Sequence, residues 1–467
     1  MLYIAANRLP LTVTKEQANY KFSESPGGVA TGLRTWVEKQ TDKEIRWVGW
    51  PGVIVRNKAE SRRLREQLLH EQQVHPIFLT KREMEDFYGG FCNKTIWPLF
   101  HYFTLHATYD PDDWKCYCKV NQDYANLLLS VLKPGDTLMV NDYHLMLVPK
   151  LVKEVMPDVA IYFFLHIPFP TFEIFRLLPN AWRLDLLRGI IGADVVGFHT
   201  NDYTAYFLQC VQRLLGHEIR TEGNIYQVSS ANHDVRVGTF PLGIDFERFD
   251  GLARKPELVE KATEIKTAAK DTCIIVSVDR LDYTKGILNR LRGYELFLVQ
   301  NPDWRAKATL VMLVTPSREA VEHYQLMKRQ IDEAVGSING RFATMNWTPI
   351  LYQYKTLPLE MLTPYYFASN VALVTPIRDG MNLVAKEYVA SHPDNRGVLI
   401  LSEMAGAAKE LRESVLVNPN SIEEIAAALK QAVEMPEAEQ IRRNVPMRKR
   451  LRRYNIFRWA EDFFDTL

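Results

Sequence analysis

Short runs of continuously apolar residues alternate with longer amphipathic stretches almost from one end of the chain to the other. The runs are Leu2–Ala6, Ile45–Val48, Thr137–Val140, Val159–Leu165, Asp194–Gly197, Cys273–Val278, Thr309–Val314, Val371–Val374 and Val398–Leu401, flanked by Gly, Pro or Asp. A strand that is apolar on both faces must be covered on both faces, and parallel strands sandwiched between helices meet that need. Helical periodicity fills the intervals, at Asn121–Leu132, Asp202–Leu215, Leu288–Val299, Arg318–Val335 and Ile422–Val433. The pattern predicts an α/β fold with parallel sheets.

One region breaks the rhythm. Residues 216–240 read as short extended pieces, EIRTEGNIYQVSS and HDVRVGTF, before the connection PLGIDFERF. A hairpin running into a Pro/Gly join places a boundary at residues 240–250. The predicted domains are 1–243, 244–450 and a terminal helix, 451–467, that packs back on the first domain. Within Arg442–Leu467, Trp459, Phe463 and Phe464 share one helical face. Two open α/β domains would meet at a cleft bordered by the C-terminal ends of their strands, where ligands of such sheets bind.

Charge excludes several partners. Lys and Arg total 57 and Asp and Glu 56 in 467 residues, a formal charge of +1, so no global field holds nucleic acid or an anionic membrane. Five scattered cysteines suit reduced buried thiols rather than a disulfide framework. MLYIAANRLP lacks a basic leader, and no apolar run is long enough to span a bilayer. A cytoplasmic protein is expected.

Chemistry concentrates after strands. In SVDRLDYTKG, Arg280 and Lys285 follow Cys273–Val278 and lead into a helix. A planar fork and a compact ammonium together suit a diphosphate and the charge that builds on a leaving group. In TPIRDGMNLVAKEYVA, Asp379-Gly380 turns the chain after Val371–Val374, and the amides of Met381, Asn382 and Leu383 would open a helix towards an anion. Glu387, further along that helix, could accept both hydroxyls of a ribose, and Asp379 could accept those of a sugar.

The first half offers SPGGVATGL, a glycine-rich loop that matches no nucleotide fingerprint. His166 ends the run FFLHIPFP, and Asp142 with His144 follows Thr137–Val140. Tyr88 and Trp97 are aromatic faces of the kind that stack on sugars. Asp110-Pro111-Asp112 is a D-x-D, a metal-holding pattern in some sugar transferases. It follows no strand, so no metal role is assigned to it.

Taken in order, NRLP, SPGG, WVGWPG, WPLFHY, VNDYHL, FFLHIPFP, VGFHT, SVDRLDYTKG, TPSR, RDGMNLVAKEYVA and LSEMAGAA resemble the motifs of trehalose-6-phosphate synthases over nearly the whole chain. The resemblance implies a GT-B fold: two Rossmann-like domains facing across a cleft, the acceptor on the first, the nucleotide sugar on the second, and a C-terminal helix crossing back. It implies that Arg280 and Lys285 bind the donor diphosphate, with the amides after Gly380 (Met381, Asn382, Leu383). Glu387 would hold the ribose, Asp379 and His166 the transferred glucose, and Gly27 and Gly28 a loop over the donor. Arg8, Trp50, Tyr88, Trp97, Asp142 and Arg318 would bind glucose 6-phosphate, with Trp47 competing with Trp50.

The implied reaction moves glucose from a nucleotide sugar to glucose 6-phosphate, giving α,α-trehalose 6-phosphate with retention and without metal or cofactor. UDP-glucose is the expected donor, although GDP and ADP sugars share the diphosphate and ribose that these residues read. Homo-oligomers and coupling to a trehalose-phosphate phosphatase, separate or fused, are partner expectations. A glycerol 3-phosphate acceptor, as in glucosylglycerol-phosphate synthases, would leave Tyr88 and Trp97 uncovered. A non-catalytic sugar-phosphate sensor would have no need of intact Arg280, Lys285, Asp379 and Glu387. A dehydrogenase would need a dinucleotide fingerprint, and none follows any strand.

Overall fold

The computed structural model describes residues 1–16, 19–24, 28–40, 44–230, 233–270, 272–317 and 322–467. Its contacts divide the chain into two compact units, Met1–Pro241 with Trp459–Leu467, and Leu242–Arg458.

The first unit contains β1 (Leu2–Arg8), β2 (Leu11–Glu16), β3 (Asn19–Glu24), β4 (Ile45–Trp50), β5 (Val74–Pro76), β6 (Thr137–Asn141), β7 (Ala160–Phe164), β8 (Val195–Phe198), β9 (Glu218–Glu222), β10 (Ile225–Ser229) and β11 (Asp234–Thr239). Nine of them form one sheet, ordered β5-β4-β1-β6-β7-β8-β11-β10-β9, while β2 and β3 form a separate hairpin. Pairing is parallel from β5 to β11 and antiparallel from β11 to β9. Central strands such as β8 are buried throughout, as two-sided coverage demands, whereas charged β9 forms an edge.

The terminal segment completes this unit. Trp459 and Phe463 are fully buried, the Trp459 indole donates to the Phe240 carbonyl at 3.2 Å, and Phe164 meets both rings edge-on.

The second unit holds β12 (Cys273–Arg280), β13 (Ala308–Thr315), β14 (Ile350–Tyr354), β15 (Val371–Val374), β16 (Val398–Ser402) and β17 (Val415–Val417). They form a wholly parallel sheet in the order β14-β13-β12-β15-β16-β17. Alternate residues feed opposite cores. Ile275 and Leu373 pack with the helices Ile287–Gln300 and Ile422–Val433; Val276 and Val374 pack with Leu383–Ala390 and Glu437–Arg453.

All nine anticipated strands are present. The hairpin β2–β3 and the short or edge strands β5, β14 and β17 are additions, too brief or too polar to stand out as apolar runs. The division falls at 241/242 and 458/459, rather than at 243/244 and 450/451. Tyr454 and Asn455 interrupt the terminal helical stretch: Glu437–Arg453 stays with the second unit, and Ile456–Phe464 carries the chain back to the first. Among the described residues, no helix is long and apolar enough to cross a membrane.

Candidate active site

In the second unit, the site grows from the C-terminal ends of the adjacent strands β12 and β15. Arg280 is the last residue of β12, and Lys285 ends the tight turn Tyr283–Lys285. Gly286 follows with φ +66°, and a Cβ there would lie 2.4 Å from the Thr375 carbonyl oxygen, so this crossing of the two loops needs glycine.

Beneath the turn lies Arg290, with no exposed surface. Its guanidinium donates to Thr375 Oγ1 at 3.1 Å, Asp279 Oδ2 at 2.6 Å, the Lys285 carbonyl at 3.0 Å and Ser277 Oγ. The Thr284 carbonyl accepts from the Ile377 amide at 2.7 Å. Buried Asp282 accepts from the Thr284 amide and hydroxyl, at 3.1 and 2.9 Å, and lies 3.8 Å from Arg280. The two loops are thus braced to each other and to the sheet.

Lys285 Nζ reaches Asp379 Oδ2 at 2.5 Å, and Asn382 Nδ2 donates to the same oxygen at 3.0 Å. Asn382, at φ 77°, caps the helix Leu383–Ala390 by accepting from the Ala385 amide at 3.1 Å. No acceptor among the described residues meets the amides of Met381, Asn382 and Leu383, which stay available to an anion. The Asp379–Met381 turn is itself held from behind: the Gly406 amide donates to the Asp379 carbonyl at 3.2 Å and the Ala407 amide to that of Met381 at 2.7 Å. Gly406 approaches so closely that a Cβ would stand 2.1 Å from the Gly380 carbonyl oxygen.

Glu387 accepts from the buried Tyr366 hydroxyl at 3.0 Å. Burial pushes its carboxyl up to about 7, and the Tyr366 bond opposes that rise.

In the first unit, four neighbouring strands β4, β1, β6 and β7 end side by side, and they present Trp50, Arg8, Asn141-Asp142 and His166. Arg8 lies 5.3 Å from the centre of the Trp50 ring, within cation–π range, whereas Trp47 is buried in the sheet. Trp50 is therefore the tryptophan at the strand end with Arg8. Asp142 adopts φ 71° and accepts from the His166 amide at 3.2 Å.

His166 Nε2 meets Asn141 Oδ1 at 3.1 Å, while buried Nδ1 has no hydrogen-bond partner among the described residues. Burial pushes the imidazole down to about 3, so it is neutral, with the proton on Nε2 and a lone pair on Nδ1. Tyr88 sits in a 13-residue π-helix, Met84–Ile96, and stacks on His144 at 5.8 Å; Trp97 closes that helix and lies 5.8 Å from Tyr143. The turn after Asp142 therefore ties both aromatics to the strand ends.

Gly28 opens the helix Gly28–Glu38. Gly27 and Arg318 lie outside the described residues. In the D-x-D motif, Asp110 caps the helix Pro111–Val131 by accepting from the Asp112 amide at 2.8 Å, and Asp112 pairs with Lys115. Among the described residues, no group of three or more His, Cys, Asp or Glu side chains could hold a metal ion. The sequence reading missed Arg290, Tyr366 and Asn141. Arg290 carried a signal, a lone cation on the apolar face formed by Ile287, Leu291, Tyr294 and Leu298.

Two Rossmann-like units, with cations and a helix opening at the strand ends of one and polar and aromatic groups at those of the other, define a GT-B glycosyltransferase. More narrowly, the chain belongs to glycosyltransferase family 20, whose family model matches residues 1–467. It is 44% identical to a bifunctional trehalose-6-phosphate synthase/phosphatase of Thermoproteus tenax, matching over all of this chain and 63% of that protein. Identity is 37% to the 56 kDa subunit of the Saccharomyces cerevisiae α,α-trehalose-phosphate synthase (UDP-forming), over all of this chain and 94% of the yeast one.

Among solved structures, a UDP-forming α,α-trehalose-phosphate synthase from Burkholderia xenovorans in complex with glucose-6-phosphate superposes with a TM-score of 0.88 at 30% identity, covering 99% of this chain and 98% of that one. An E. coli structure bound with UDP-2-fluoro glucose gives 0.86 at 32%, with the same coverage.

Proposed function

We infer that this chain transfers glucose from UDP-glucose to the anomeric hydroxyl of glucose 6-phosphate, forming α,α-trehalose 6-phosphate and UDP. The observation that carries the reading is the Lys285–Asp379 pair beside a helix opening whose Met381, Asn382 and Leu383 amides meet no acceptor among the described residues, a place where a diphosphate and the sugar attached to it can be gripped together. The ligands of the Burkholderia and E. coli relatives, glucose-6-phosphate and a UDP-sugar analogue, support the same substrates.

In this reading Arg280, Lys285 and the amides of Met381, Asn382 and Leu383 hold the diphosphate, and Glu387 holds the ribose. Asp379 and the His166 lone pair accept hydroxyls of the transferred glucose. Gly27 and Gly28 bind the donor. Arg8, Trp50, Tyr88, Trp97, Asp142 and Arg318 bind glucose 6-phosphate, the two arginines taking its phosphate. The bond from the donor's anomeric carbon to the diphosphate oxygen breaks, and the acceptor oxygen bonds to that carbon on the same face. Its proton passes to the departing diphosphate. Arg280 and Lys285 stabilise the charge that forms there, and no metal is invoked.

The test is a panel of UDP-, GDP- and ADP-glucose with glucose 6-phosphate or glycerol 3-phosphate. The expected product has the mass of trehalose phosphate and yields trehalose on phosphatase treatment; turnover confined to glycerol 3-phosphate would overturn the reading. The product of this transfer carries a phosphate that a phosphatase, separate or fused, would remove; the Thermoproteus relative is a bifunctional synthase/phosphatase.

A further inference from the structure

The second unit carries another concentration of positive charge, at the far end of the helix whose first turn opens the candidate donor site. Leu383–Ala390 spans about 12 Å, and beyond its last turn lies a cavity of about 480 Å3. Arg254, Arg448, Lys449, Arg452 and Arg453 line it, together with Asn395. Most of these cations come from the helix Glu437–Arg453; Arg254 follows Phe246–Leu252.

The walls are fixed before any ligand arrives. Arg448, only 7% exposed, donates to the carbonyls of Val389 and Ala390, at 2.8 Å each, and pairs with buried Asp250. Arg254 pairs with the same carboxylate at 2.8 Å and Arg452 with Glu247 at 2.9 Å. The guanidinium carbons of Arg448 and Arg452 lie 5.0 and 4.6 Å from the centre of the Phe246 ring. Asn444 holds the neighbouring turn through the carbonyls of Asn395, Arg396 and Gly397.

The charges do not balance. Asp250 and Glu247 serve Arg254, Arg448 and Arg452, while exposed Lys449 and Arg453 have no ion-pair partner among the described residues. Like charges gathered round a concavity repel one another, and a multivalent anion relieves that repulsion while meeting several guanidinium forks. The volume suits a small organic phosphate.

We propose that this cavity is a second anion site, selective for a compact ligand bearing a diphosphate and separate from the strand-end site of the same unit. The full chain, free of divalent cations, is titrated calorimetrically with inorganic pyrophosphate, as wild type, Lys449→Glu/Arg453→Glu and Lys285→Ala. Wild type is expected to bind one pyrophosphate at each site. The double variant should lose the cavity site, its dissociation constant rising about 10-fold or more, and Lys285→Ala should retain it.

Identical binding by wild type and the double variant would overturn the proposal. Arg453→Gln, which only neutralises an exposed charge, provides the same comparison should the double reversal fold poorly. Cavity binding must also weaken as salt rises, because its charges face solvent; a salt-independent affinity counts against it. If the donor-site reading fails instead, Lys285→Ala binds like wild type while the double variant still loses its site.

Discussion

Lys285 Nζ and Asp379 Oδ2 stand 2.5 Å apart, joining the loops that leave the adjacent parallel strands β12 and β15. Both side chains are largely shielded, at 16% and 14% exposure, so the pair is held by the fold rather than by chance encounter at a surface. In the proposed reading, a cation for the diphosphate and a carboxylate for the attached sugar are thus set against each other before the donor arrives. Removing the cation should strike chemistry first. Lys285→Ala and Arg280→Ala are each expected to lower kcat by about 10²-fold or more, the scale of losing one charge-stabilising donor. Arg280 is 44% exposed, so its loss should leave the melting temperature nearly unchanged. Steady-state kinetics with thermal melts check this, and near-normal turnover in both variants would remove these residues from the mechanism.

The pair formed by Glu387 and Tyr366 predicts a pH dependence. Burial raises the Glu387 carboxyl to about 7, so it is mostly protonated below that pH and ionised above it. Only the ionised form accepts from both ribose hydroxyls, so the KM for donor should fall as pH rises through about 7. Tyr366→Phe removes a bond that favours the carboxylate, and the midpoint should move to higher pH. Glu387→Gln should abolish the dependence. A wild-type donor KM that is flat across this range would exclude the ribose role.

The sheet was readable because its strands are apolar on both faces, as β8 and β15 show. Edge strands carry no such pattern: β9 alternates Glu, Arg and Glu in solvent, and β14 mixes aromatic with polar residues. At the site, Arg280, Lys285, Asp379 and Glu387 could be found because each follows a legible strand. Their supports could not. Tyr366 lies in a separate helix and meets Glu387 only through the fold, and Asn141 looks like any strand residue until His166 turns its Nε2 to it. The π-helix carrying Tyr88 has no sequence period of its own to announce it.

His166 should act without titrating. Its imidazole is pushed down to about 3 by burial, so the ring stays neutral through the working range, and Nδ1 is an acceptor awaiting a hydroxyl. His166→Ala is expected to lower kcat/KM by about 10-fold, the value of a neutral hydrogen bond to the substrate, while leaving the affinity for UDP unchanged because the loss falls on the sugar. Asn141→Asp places a carboxylate against Nε2 and should raise the imidazole pKa, adding an inflection to the kcat–pH profile that the wild type lacks. Inhibition by UDP and a pH series at saturating donor measure both effects. Weaker UDP binding in His166→Ala would move the residue from the sugar to the nucleotide.

Arg290 predicts a stability effect with its own pH signature. It is completely buried and bonded to Asp279, whose carboxyl is raised by burial and drawn back by the guanidinium. Arg290→Ala leaves that carboxylate buried without its partner and should cost about 3–5 kcal/mol, read from denaturant midpoints. In the variant, the pKa of Asp279 climbs further above its unfolded value, so the native state binds the extra proton. Stability then rises as pH falls through the raised native pKa towards the unfolded value near 4. The deficit relative to wild type should therefore shrink on acidification. Arg290→Lys keeps a cation for Asp279 but not the fork that also reaches Thr375 and the Lys285 carbonyl, so it should regain part of the stability and less of the turnover. A deficit that stays constant from neutral pH to pH ~4 would mean that Asp279 is not the group stranded by the substitution.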